Sequence, residues 1–340
     1  MINSVAFNLF GIDIYYYGLI IAAAVVVGIF LAISEAKRRG KDTEMVLDIC
    51  LIVIPMAVIF GRLYYVLLEW DAFSHNFWSI FNPRTGGMAI YGAIIGGALG
   101  ILIYCKWKKF KFKGFIEILD IFVPALVLGQ AMGRWGNFFN NEAYGFAISN
   151  PKWQFFPFTV PILGSDNSMV QYHLATFFYE SMWCLMIFLA LWFVIRKRAK
   201  RVGTVTMVYL GLYGIERAVV ELLRTDSLTF VKIPDGLSYW ELMQNGGATL
   251  GQFPVSSLLS ILLTVAAITI LIIRMRKPLP AEEEAEAPQG GAEYDGDEAF
   301  LGYAHEGDGD EEEDDYPPED IGTMGVYMNV DDSSHVDDEE

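Results

Sequence analysis

Seven apolar stretches, each long enough to cross a bilayer, constrain this chain more than any other feature. They lie near residues 16–35, 46–68, 87–105, 116–133, 176–195, 204–223 and 254–273. A hydrocarbon core about 30 Å thick is crossed by roughly 20 apolar residues in a helix. Lipid satisfies no backbone polar group, so a spanning stretch must close its hydrogen bonds internally. The spacing predicts an all-α integral membrane protein of about seven transmembrane helices.

The basic residues orient it. Lys37, Arg38, Arg39 and Lys41 follow the first stretch, and Lys106, Lys108, Lys109, Lys111 and Lys113 follow the third. Arg196, Lys197, Arg198, Lys200 and Arg201 follow the fifth; Arg274, Arg276 and Lys277 follow the seventh. The other junctions lack such clusters. Lys and Arg mark the cytoplasmic side, so the N-terminus is expected outside and the C-terminus in the cytoplasm. No basic region precedes the first stretch and Asp13 interrupts its approach, so this segment reads as a permanent span, not a cleaved signal peptide. The outward segments are then 1–15, 69–86, 134–175 and 224–253. The last two are rich in aromatic residues, Gly and Pro, which suits the headgroup level.

Charge divides the chain in two. The net charge is −17, yet residues 281–340 hold 24 of the 41 acidic residues and none of the 24 basic ones. Residues 1–280 therefore form a mildly basic membrane domain. Dense like charge and low hydrophobicity predict that 281–340 is a disordered cytoplasmic tail. Cys50, Cys105 and Cys184 lie in or beside apolar stretches without paired spacing. That favours buried thiols over disulfides or a zinc site.

Ionisable groups inside spans are costly and rare. Arg62, Asp120, Arg134, Glu180, Glu216, Arg217 and Glu221 all stand in or beside the stretches. They are candidates for interhelical ion pairs or for a site. The densest cluster is GQAMGRWGNFFNNEAYG, Gly129 to Gly145. It starts as apolar helix and ends in Asn and Gly, which favour turns. Arg134 is thus expected near the outward end of the fourth helix, followed closely by Asn137, Asn140 and Glu142. A planar guanidinium with amide donors nearby suits a phosphate; a polar helix cap is the plainer alternative. Tyr213, Arg217 and Glu221 follow at four-residue spacing on the sixth helix and share a face. Gly92 and Gly96 form a small-residue packing pair on the third helix, with Tyr91 beside them at the depth of Arg134.

These residues resemble the bacterial prolipoprotein diacylglyceryl transferase family. Its signature, G-R-x-G-N-F-x-N-x-E-x-x-G, is matched at each fixed position from Gly133 to Gly145. Tyr17-Gly18-Leu19 matches its first-helix motif. Tyr213 and Arg217, with Glu221 and Arg224 following, match its sixth-helix motif. Asp120 matches an Asp fourteen residues before the signature Arg, and Gly251-Gln252 a late Gly-Gln. The resemblance covers roughly residues 10–275. Two departures stand out. Tyr91-Gly92-Ala93 replaces a frequent His-Gly-Gly, and LATFFYES at 174–181 replaces H-P-T-F-L-Y-E-S, with His173 one place earlier.

The resemblance implies transfer of a diacylglyceryl group from phosphatidylglycerol to the lipobox cysteine in a prolipoprotein signal peptide. A thioether forms and glycerol 1-phosphate leaves, in the bacterial cytoplasmic membrane. It implies no metal, no organic cofactor and no nucleic-acid partner. Arg134, Arg217, Tyr91 and Glu142 are the expected catalytic residues. Tyr17, Asn137, Asn140, Gly145, Tyr213 and Asp120 are expected to bind substrate, Asp120 and Glu142 by orienting the arginines or assisting proton transfer. A thiol of ordinary pKa near 8.5 must lose its proton to attack, and with Tyr91 in the third-helix position the proton acceptor stays open. A membrane lipid transporter and a transferase for another phospholipid headgroup are the competing readings.

Overall fold

A computed structural model describes residues 4–73, 80, 87–163, 170–225, 227–234 and 236–278 of the chain. Each apolar stretch is a helix. We label them α1 (Tyr16–Arg38), α2 (Glu44–Leu68), α3 (Ile90–Trp107), α4 (Phe112–Asn140), α5 (Thr176–Arg198), α6 (Thr204–Leu223) and α7 (Val255–Arg276). Near its end, α5 passes through a π-helical turn, Ala190–Ile195. All but α6 are long and apolar enough to cross a membrane, and the chain is a multi-pass membrane protein. The sixth helix carries Glu216, Arg217 and Glu221, which lowers its apolar score. It is nonetheless packed inside the bundle: Trp183 Nε1 donates to the Leu212 carbonyl and Ser257 Oγ to that of Ala218, both at 3.1 Å. The predicted tail, 281–340, lies outside the described residues, as does most of 69–86.

Two hairpins supplement the helices. Strands β1 (Val5–Leu9) and β2 (Ile12–Tyr15) pair antiparallel through Phe10 and Gly11, both at positive φ, and β2 runs straight into α1. Strands β3 (Thr159–Leu163) and β4 (Val170–Leu174) pair in the same way just before α5. Short motifs of this kind let the connecting chain satisfy its own backbone groups. They also fix where α1 and α5 begin.

The fourth helix is central. Its Ile118 and Ile121 pack with Ala32, Val46, Ile49 and Tyr104 of α1 to α3. Its Val123, Val127 and Ala131 pack with Cys184, Leu191 and Val205 of α5 and α6. The second and third helices meet through glycines: a Cβ on Gly92 would lie 2.3 Å from the Phe60 carbonyl oxygen, and one on Gly96 2.4 Å from that of Met56. Both are too close for any side chain, so the expected small-residue pair is where two backbones touch.

The basic clusters gather at one end of the bundle. There Glu35, fully buried, accepts from Arg38, Arg39 and Arg196 at 2.6 to 3.0 Å. Lys41 pairs with Glu117 at 3.1 Å, and Arg201 donates to the Lys277 carbonyl. The ends of α1, α5 and α7 and the starts of α4 and α6 thus meet on one side, as the charge alternation requires.

Candidate active site

At the opposite end, α4 continues further than its apolar stretch. The helix runs on past Gly133 to Asn140 and ends in the Asn-rich segment, where a turn was expected. Gly133 and Gly136 serve packing there: a Cβ on Gly136 would come within 2.4 Å of the Tyr17 ring. The Tyr17 ring therefore packs closely against the helix backbone. The helix ends at Asn141, which adopts the left-handed conformation that Asn tolerates. The Glu142 N–H returns to the Asn137 carbonyl at 3.1 Å. This hook brings the Glu142 carboxylate back over the last turn. Its Oε1 accepts from Asn137 Nδ2 at 3.0 Å and from Asn140 Nδ2 at 3.1 Å. Arg134 and Glu142 both lie within electrostatic range of the Tyr17 phenol.

A charged chain crosses three helices beneath this hook. Trp135 Nε1 donates to Ser181 Oγ at 3.1 Å, and Ser181 Oγ donates to the Ala131 carbonyl at 2.8 Å. These bonds clamp the start of α5 on α4 and bring Glu180 beside Arg134. Glu180 Oε2 lies 2.5 Å from Arg134 Nη2 and 3.5 Å from Arg217 Nη1. Arg217 Nη2 lies 2.5 Å from Glu221 Oε2, one turn along α6. Tyr213 lies within electrostatic range of both arginines. The carboxylates are buried, whereas the Arg134 side chain keeps 16% of its surface and Arg217 20%. Breaking one partner of such a buried pair typically costs about 3–5 kcal/mol, so the arginines are held firmly while remaining open to an anion.

Sequence reasoning placed Arg134, Asn137, Asn140 and Glu142 in one cluster and Tyr213 and Arg217 in another, and the structure joins the two. It missed the joint. Glu180 stands out from sequence as an ionisable residue in an apolar stretch and as a position of the 174–181 segment that keeps the family residue, and nothing local ties it to Arg134, 46 residues earlier. Asp120 lies apart from both clusters. It stands fourteen residues before Arg134 on the same helix, about 21 Å away along the axis. There Asp120 accepts from Gly203 N at 2.7 Å and from Thr206 N and Oγ1 at 2.9 and 2.6 Å. Arg39 Nη1 lies 3.7 Å from it. Asp120 thus fixes the start of α6. Tyr91 opens α3, partly exposed, with its ring 6.5 Å from that of Tyr64. Gly145 is a close approach: its Cβ would meet Leu174 and Thr176 at 3.0 Å. His173 Nδ1 lies 2.8 Å from the Gly145 carbonyl oxygen and the ring rests on Tyr144, so this histidine supports the backbone of the signature segment. Among the described residues, no group of three or more His, Cys, Asp or Glu side chains could hold a metal ion.

Helices of spanning length around an arginine–carboxylate centre, with its cations at the far end from the basic clusters, define a membrane-embedded enzyme that handles an anionic group. Comparison with known proteins is specific. The family model for prolipoprotein diacylglyceryl transferase matches residues 4–273. The phosphatidylglycerol–prolipoprotein diacylglyceryl transferase of Finegoldia magna is 39% identical over 282 residues, 83% of this chain and 99% of that protein. The enzyme of the same name from Clostridioides difficile is 43% identical, over 66% of this chain and 85% of its own length. That from Listeria monocytogenes is 36% identical, over 82% and 92%. The chain belongs to the prolipoprotein diacylglyceryl transferase family, and it is a transferase.

Proposed function

We propose that this chain transfers the diacylglyceryl group of phosphatidylglycerol to the lipobox cysteine of prolipoproteins. The thiol sulfur attacks the glyceryl carbon that carries the phosphate. That carbon–oxygen bond breaks, its electron pair stays on the phosphate oxygen, and glycerol 1-phosphate leaves as the thioether forms. The reaction would run at the outer leaflet of the bacterial cytoplasmic membrane, with the N-terminus outside and α6 as the seventh span.

One observation carries this reading: Arg134 and Arg217, from two helices, converge on the single oxygen Glu180 Oε2. A substrate phosphate can take the place of that carboxylate oxygen between them. Two fixed cations in a water-poor site stabilise the charge that develops on the leaving phosphate. Arg134 and Arg217 thus act on the phosphate. Tyr17, Asn137, Asn140 and Tyr213 line the headgroup site beside them, Glu142 holds the two asparagines, and the Gly145 turn closes the rim. Tyr91, in the first turn of α3, would meet the incoming thiol. Replacing Arg134 by Ala should abolish lipid transfer to a lipobox peptide while the protein stays in the membrane. Retained transfer in that variant would overturn the assignment.

A further inference from the structure

Glu216 is a buried acid that this scheme does not use. It lies on α6, 5% exposed, and neither carboxylate oxygen has a hydrogen-bond partner. The groups facing it are known. Arg134 from α4, Glu180 from α5, Arg217 on its own helix and Arg224 just beyond that helix are within electrostatic range. Cys184, Tyr209 and Tyr213 lie within the same range. Glu216 is thus in the charged centre, yet makes none of the pairs that bind Arg134 and Arg217 to Glu180 and Glu221.

An ionised carboxylate with no hydrogen bond is among the costliest things to bury, and such a group takes up a proton instead. Its neighbour reinforces this. Glu180 has both arginine contacts, at 2.5 and 3.5 Å, and a carboxylate beside an uncompensated second one disfavours charge on that second group. The charge count agrees. If Glu180, Glu216 and Glu221 were all ionised they would cancel Arg134, Arg217 and Arg224, and the centre would have no charge left to attract a phosphodiester anion. With Glu216 neutral, one positive charge remains to meet it.

Resting on the transferase reading above, we propose that Glu216 keeps its proton in the resting site and delivers it to the phosphate as that group departs. The phosphodiester enters with one negative charge. As the glyceryl carbon–oxygen bond breaks, its electron pair creates a second charge on the phosphate. That oxygen takes the proton from Glu216, and glycerol 1-phosphate leaves as a monoanion. The attacking thiol has released one proton, and the Glu216 carboxylate recovers one from this source through the site, so the cycle balances. A neutral carboxyl donating to a developing oxyanion is an established use of a buried acid.

The test is kinetics on the full-length protein in phosphatidylglycerol vesicles with a lipobox peptide, combined with infrared spectroscopy. Glu216→Gln keeps a neutral donor but has no proton to give. Its KM for phosphatidylglycerol should stay within about threefold of the parent, while kcat falls about 10²-fold. The parent should lose kcat at alkaline pH as Glu216 ionises, and the Gln variant should lack that alkaline fall. Glu216→Asp should recover part of kcat together with the fall. The parent's infrared spectrum should show a protonated-carboxyl carbonyl band that the Gln variant lacks, a reading independent of turnover. A Gln variant with parental kcat, an unchanged alkaline fall, or an unchanged carboxyl band overturns the proposal. A parent that transfers no lipid at any pH, but shows the band, overturns the transferase reading instead.

Discussion

Arg217 offers one guanidinium nitrogen to Glu180 and the other to Glu221, 3.5 and 2.5 Å away. A lysine carries a single charged nitrogen and cannot span both. Arg217→Lys should therefore lower kcat/KM about 10²-fold or more, as loss of a fixed charge-stabilising donor does, and initial-rate measurements would show it. Asp120 gives the opposite expectation. Its three hydrogen bonds tie α6 to α4, so Asp120→Ala should cost about 3 kcal/mol of stability and leave the KM for phosphatidylglycerol unchanged. Thermal unfolding and rate assays on the same preparation would separate the two effects; a raised KM with unchanged stability would restore Asp120 to the site. At this scale the sequence was informative where chemistry is local. The run from Gly133 to Gly145 held Arg134, Asn137, Asn140 and Glu142 together because they share two turns of one helix and its hook. Glu180 was not legible as the bridge, because its partners come from α4 and α6. Asp120 sits beside Arg39 at the other basic centre, because fourteen helical residues separate it from Arg134 by about 21 Å.

Helix packing explains which glycines matter. A methyl group on Gly96 would meet the Met56 backbone carbonyl at 2.4 Å, whereas one on its neighbour Gly97 finds nothing nearer than 3.8 Å. A backbone atom cannot step aside, so Gly96→Ala should destabilise the protein by about 1–3 kcal/mol and Gly97→Ala should be near neutral. Thermal unfolding in detergent would compare the pair, and equal stabilities would mean that α2 and α3 do not meet as described. The apolar periodicity located all seven helices, because lipid leaves the backbone no other solution. It shortened α4 by a turn and more at the end where Gly, Asn and Arg replace apolar residues. Those residues are helical: Gly136 admits the Tyr17 ring, Arg134 meets the buried Glu180, and Asn137 donates to the Glu142 hook.

The whole molecule has a charged network at each end with different work. One end, centred on Glu35 with Arg38, Arg39 and Arg196, holds helix ends together; the other, centred on Glu180, is the proposed phosphate site. The alternating basic clusters foretold that the first end would be shared by α1, α5 and α7. They could not foretell the second, which is assembled from residues scattered over three helices. The acidic segment 281–340 lies outside the region that matches the family, residues 4–273. A chain ending at Lys277 should therefore retain full transfer activity in vesicles, and a large loss would give the tail a part in catalysis. The central claim, that this arginine–carboxylate centre moves a diacylglyceryl group from phosphatidylglycerol to a thiol, is tested most directly with doubly labelled lipid. Purified protein is incubated with phosphatidylglycerol labelled differently in its acyl chains and in its headgroup, together with a lipobox peptide. The account predicts acyl label on the peptide, an equal amount of headgroup label released as glycerol 1-phosphate, and neither when the peptide cysteine is replaced by serine. Headgroup label on the peptide, or lipid crossing the membrane with no label on the peptide, would contradict it.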